Sequence, residues 1–150
     1  MPPVGSSGPQ RCSTTSGPAN YDPQNGFYSV APKTVDAGAG TLRYDVVQFL
    51  IGKDAVTAYQ QDNPGQTDGP PNDYWVRNVS PQIYQSHVAP NVVVYQTKDP
   101  GNPALYVDTL AHFESRITSH YGSGGVYAGD LYWLRLSGGS ITELCEQWVP

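Results

Sequence analysis

The chain has 150 residues, enough for one domain with a real core. Only 14% of residues are charged and 38% are apolar, while Gly and Pro together number 30 (16 + 14) and Tyr alone 11; that mix favours strands, turns and loops over helices. A net charge of −5 with no basic run excludes a nucleic-acid partner, and no apolar stretch approaches the roughly 20 residues that a membrane-spanning helix needs.

Residues 1–40 hold 17 Gly, Pro or Ser with no sustained period of 2 or 3.6. They read as an extended or partly disordered arm. Its opening, "MPPVGSSGPQRC", lacks the apolar centre of a signal peptide, so Met1 is read as following a removed leader. The later part, "NGFYSVAP", could lie on the domain, since Phe27, Tyr28 and Val30 need cover.

Residues 41–150 read as one α+β domain. "TLRYDVVQFL" is a strand with Leu42, Tyr44, Val46 and Gln48 on one face and Arg43, Asp45, Val47 and Phe49 on the other. A short helix of about two turns follows in "IGKDAVTAYQQDNPG", ended by Pro64 and Gly65. "DNPGQTDGPPND" is a loop, "DYWVRNV" a strand, "PQIYQSHVAP" ambiguous, and "NVVVYQT" a strand again. After the turn "KDPGNP" and the extended "ALYV", Asp108 is positioned to cap the best helix, "TLAHFESRITSHY". Leu110, Phe113, Ile117 and Tyr121 form its apolar stripe. "GSGGVYAG" is a connection. The chain closes with a hairpin turning at Gly138 and Gly139, with Trp133 opposite Leu144, Tyr132 opposite Cys145 and Leu136 opposite Ile141. The sum is a mostly antiparallel sheet or half-open barrel of five or six strands on one long and one short helix.

Cys12 and Cys145 make an even pair, which in an exported chain predicts one disulfide across 133 residues. No cofactor is implied. His112 and His120 lie about 80° apart around the helix axis, so they do not make a metal pair, and no metal ligands are assigned. The oxygen-rich segment 62–73 misses the spacing of an EF-hand loop. "NVS" at 78–80 matches a glycosylation sequon. No serine elbow, reactive thiol or phosphate loop stands out, so no catalytic residue is assigned. Glu114, Asp108 and His112 could in principle serve an acid–base site, as could His120 with a carboxylate such as Glu114, although Asp108 is better explained as the helix cap.

Binding is the stronger expectation. In "NDYWVRN" a strand sends Tyr74 and Val76 to one face and Trp75 and Arg77 to the other. Trp, Tyr and Arg are the commonest binding anchors, so Tyr74, Trp75 and Arg77 are the leading candidates, with Tyr127 and Trp133 behind them. The competing reading makes the aromatics strand fillers and pairs Arg77 with an acid or a loop.

"NDYWVRN" and the ending "GGSITELCEQWVP" resemble a family of exported or lipid-anchored actinobacterial proteins. Members share an Asn-Asp-Tyr-aromatic-aliphatic-Arg-Asn segment, a strand and helix similar to "VVQFLIGKDAVTAY", and an ending like "EQWVP". The resemblance covers residues 42–150 and leaves the first 40 unmatched. It implies an extracellular or cell-envelope location and carries over no catalytic residue. Cys145 stands where the family has another residue, which fits a bond to Cys12 particular to this protein. Three functions compete. The first is a noncatalytic exported domain binding a protein or envelope glycan. The second is a small extracellular hydrolase with a His–carboxylate pair. The third is a structural subunit assembling through its arm or a sheet edge, in an oligomeric state that the sequence leaves open.

Overall fold

The computed structural model describes residues 12, 18, 20–99, 102–122 and 131–147. Six strands and two helices follow in the order β1 (Gly26–Asp36), β2 (Thr41–Ile51), α1 (Gly52–Asp62), β3 (Tyr74–Asp99), β4 (Asn102–Asp108), α2 (Leu110–Gly122), β5 (Leu131–Ser137) and β6 (Ser140–Gln147). The sheet runs β2-β1-β5-β6-β3-β4, and β2 also pairs with β3. That extra pairing closes β1, β2, β3, β6 and β5 into a barrel, with β4 added beside β3. Every pairing is antiparallel except β3 with β6. The expected half-open barrel is thus a closed one, and closure removes sheet edges from five of the six strands.

The largest departure from the sequence reading is β1. Residues 26–36 fall within the stretch that the composition marks as an arm, yet they form a strand between β2 and β5. Val30 faces one core and Ala31 the other, and both are buried. Small side chains let this strand be covered on both faces, so it lacks the polar–apolar alternation that marks a half-exposed strand. The helices are also closer in length than expected, at 11 and 13 residues.

Two cores result. Leu42, Tyr44 and Val46 of β2 join Tyr132, Leu134 and Leu136 of β5 in the first, which Phe113 and Ile117 of α2 complete. This is the stripe read from the sequence, although the Tyr121 side chain lies outside the described residues. The second holds Val47, Phe49, Tyr95, Leu131, Trp133 and Cys145. Cys12 packs against it and is bonded to Cys145, the expected disulfide. No helix among the described residues is long and apolar enough to cross a membrane.

Three local details differ. Gly138 and Gly139 both take positive φ (58° and 83°) and make the two-residue turn. Leu136 opposes Ile141 as expected, but Trp133 opposes Cys145 and Tyr132 opposes Glu146. A register shift at Arg135/Leu136 adds one residue to β6 and displaces every later pair by one. Second, β3 is a single 26-residue strand that includes the ambiguous segment. Its first part pairs with β2 and its last part with β4 and β6. Third, Asp108 is not the cap of α2. Thr109 is: its Oγ1 accepts from the His112 N–H at 3.1 Å.

Candidate functional site

The start of β3 pairs with the end of β2, setting Trp75 beside Leu50 and Arg77 beside Gln48. Alternation works as the sequence implies. Tyr74 and Val76 join the second core, where Tyr74 stacks on Phe49 with centroids 5.3 Å apart. Trp75 turns the other way, packs with Leu50 and the buried Ala55 and Ala58 of α1, and meets the Tyr59 ring edge-on at 4.8 Å.

Arg77 fastens the end of α1 to the sheet. Its Nε donates to Asp62 Oδ2 at 3.0 Å and its Nη2 to Asp62 Oδ1 at 3.0 Å, a fork matched to a carboxylate. Nη2 also reaches Gln61 Oε1 at 2.7 Å and the Ala58 carbonyl at 3.2 Å. The Trp75 indole N–H adds a bond to Asp62 at 2.8 Å. Hydrogen bonds from Arg77, then from Trp75, hold the Asp62 carboxyl below the ordinary carboxylate range. The same contact raises the Arg77 guanidinium. A cation at this end of a helix also opposes the negative pole of its dipole. Asp62, first of the oxygen-rich segment, is thereby committed to Trp75 and Arg77.

Beside this clamp a cleft of about 400 Å³ separates α1 from the sheet. Asp54, Thr57, Ala58 and Gln61 line it from α1, at the i, i+3, i+4, i+7 spacing of one helix face. Gln48, Leu50 and Arg77 line it from the strands. Its polar groups are free to meet a ligand. Among the described residues, the side chains of Gln48, Asp54 and Thr57 have no hydrogen-bond partner, and the four bonds of Arg77 use only Nε and Nη2. Its Nη1 donors remain.

A second polar cluster surrounds the start of α2. Asp108 Oδ2 accepts from Gln96 Nε2 at 2.5 Å, from the Tyr106 hydroxyl at 3.1 Å and from His112 Nδ1, while Oδ1 accepts from the Thr109 N–H at 2.8 Å. Burial pushes the Asp108 carboxyl up, but the bonds from Thr109, His112, Gln96 and Tyr106 together outweigh it and hold it below its ordinary range. Burial and the bond to Asp108 raise the Tyr106 hydroxyl. Arg116 donates to Gln96 Oε1 at 3.2 Å and to Glu146 Oε2 at 3.0 Å, and Glu146 Oε1 accepts from the Thr97 N–H at 2.8 Å. Tyr132 donates to Gln96 as well. Polar groups therefore converge more than the sequence suggested. The imidazole of His112 is 56% exposed and does not line the cleft beside α1.

The expected site residues are scattered by the fold. Trp75 and Arg77 share one wall, and Tyr74 lies on the opposite face. Trp133 is 1% exposed, stacked on Phe27 at 5.1 Å, with its indole N–H spent on Gln147 Oε1 at 2.7 Å. It is a core residue rather than a binding one, because β5 is covered on both faces. Tyr127 and the His120 side chain lie outside the described residues. Glu114 faces away from His112 and accepts from the Ala37 N–H at 2.7 Å in the β1–β2 turn. Sequence reasoning missed Asp54, Thr57 and Gln61, although their helical spacing was visible. It also missed Gln48 as a partner of Arg77, which only the β2–β3 register shows. No family model matches the chain, and no curated protein or solved structure is significantly similar to it.

Proposed function

We propose that the protein is a noncatalytic binding domain of the extracellular space or cell envelope, which holds a polar group of its partner in the cleft between α1 and the β2–β3 pair. One observation carries this reading: an arginine locked by Asp62 and Gln61 stands at a cleft whose other polar side chains are unspent. Preorganised donors cost little to order on binding. The disulfide supports an oxidising compartment, and the resemblance to exported actinobacterial proteins supports the same location.

The test uses the full chain against deproteinised cell-wall glycan and against an envelope protein fraction. Gln48→Ala with Thr57→Ala leaves the Arg77–Asp62 clamp untouched. The expected result is a loss of capture of tenfold or more with an unchanged melting temperature. Capture by the double variant equal to that of the parent would refute a site in this cleft.

A second reading has its own observation. His112 keeps its Nδ1 on the nearly buried Asp108, which leaves Nε2 outward as a base for a small hydrolase. The first reading is favoured because the bonds of Asp108 and Arg116 tie α2 to the sheet, and no nucleophile among the described residues bonds His112. Ester or glycoside turnover lost on His112→Ala would reverse that order.

A further inference from the structure

We propose that the group held in the α1 cleft is an uncharged sugar residue, gripped through a pair of neighbouring hydroxyls. This rests on the binding reading above and adds the chemistry of the ligand. Charge is the first argument. The guanidinium of Arg77 is matched by the two-point contact with Asp62, so the clamp as a unit presents no net positive charge. The remaining ionised lining group is Asp54, so the cleft is neutral to negative and disfavours carboxylate or phosphate ligands.

Hydrogen-bonding capacity is the second argument. Asp54 supplies two acceptor oxygens and no donor. Donors stand across from it on the strands and beside it on α1. The Nη1 group of Arg77 has two N–H bonds left, and Gln61 has turned its Oε1 to Arg77, which leaves its amide NH₂ to donate. Gln48 brings an amide and Thr57 a hydroxyl, each able to donate and accept. A hydroxyl gives one hydrogen bond and accepts others, so a vicinal diol can satisfy a carboxylate and neighbouring N–H groups together. The open wall is the third argument. The apolar lining residues, Leu50 and Ala58, are both buried, so the accessible wall is mostly polar, as a hydroxyl-rich ligand requires.

The experiment titrates the full, disulfide-bonded chain with three probes followed by calorimetry or amide NMR shifts. They are neutral hexose trisaccharides in gluco, galacto and manno configuration, an oligouronate, and a de-N-acetylated glucosamine oligomer. Saturable binding of at least one neutral trisaccharide is expected, with shifts at residues 48, 54, 57 and 61. Asp54→Asn should weaken it tenfold or more. Gln48→Leu, which keeps the side-chain volume in a strand, should do the same without touching α1. A chain that binds only the oligouronate or only the amino-sugar oligomer overturns the proposal. So does one that takes no sugar yet still captures an envelope protein in a Gln48-dependent way, which would leave the binding reading standing. A chain that captures nothing in either experiment sinks both.

Discussion

Helix α1 offers a carboxylate, Asp62, to an arginine of the sheet, while helix α2 offers an arginine, Arg116, to a carboxylate of the sheet. Both contacts measure 3.0 Å. Their depth differs. The α1 pair is 30% and 38% exposed, the α2 pair 21% and 10%. Water and salt reach the first and screen it. The second is set among Gln96, Thr97 and Tyr132, all buried, so losing one partner strands a charge in low dielectric. The shallow joint leaves an open polar cleft next to it, and the deep joint is consumed in holding the barrel. The same residue types thus make a site at one helix and a foundation at the other.

That contrast can be broken from the deep side first. Cys145 neighbours Glu146, and its bond to Cys12 spans 133 residues. Changing both cysteines to alanine is expected to cost about 5 kcal/mol of unfolding free energy by urea titration, on the chain-entropy account. Arg116→Met should cost about 3 kcal/mol, because it leaves Glu146 buried without its cation, and this loss should be nearly independent of salt. Asp108 gives a smaller, pH-dependent effect. Its folded pKa lies below the unfolded value, so the unfolded chain binds the proton first as pH falls. The stabilisation is complete above about pH 4 and lost below it. Asp108→Asn should flatten that acid limb in melting temperatures measured from neutral pH downward. Arg77→Met should give the smallest change of the four, and sodium chloride near 1 M should erase the difference from the parent. An Arg77 variant as damaging as Arg116→Met would show that the two joints are equivalent after all.

What could be read in the sequence follows from how local each signal is. β2, the closing hairpin and the stripe of α2 each depend on neighbours within a few residues, and each is present. β1 was hidden because its evidence is distant: Ser29 needs Val47 and Trp133 on either side before it looks like a strand. β3 was cut by Pro81 and Pro90, yet Tyr84, Ser86 and Val88 turn inward on a clear period of two between them. The hairpin register slipped because a bulge has no residue signature of its own. At the candidate site the same rule holds. The opposed faces of Tyr74 and Trp75 were legible, as was the chance that Arg77 pairs with an acid. Which acid was not, since Asp62 lies across a loop. The contact of His112 with Asp108 is an i, i+4 neighbour pair and was visible; Arg116 with Glu146, 30 residues apart, was not.

The bond between Cys12 and Cys145 has a mechanical consequence. Tension applied to the chain outside these two positions is carried through sulfur, and the 133-residue loop between them, with nearly the whole barrel, feels none of it. A domain wired in this way can be pulled upon while the cleft under α1 keeps its shape. Reducing agent would turn the same pull into an unzipping force on β6.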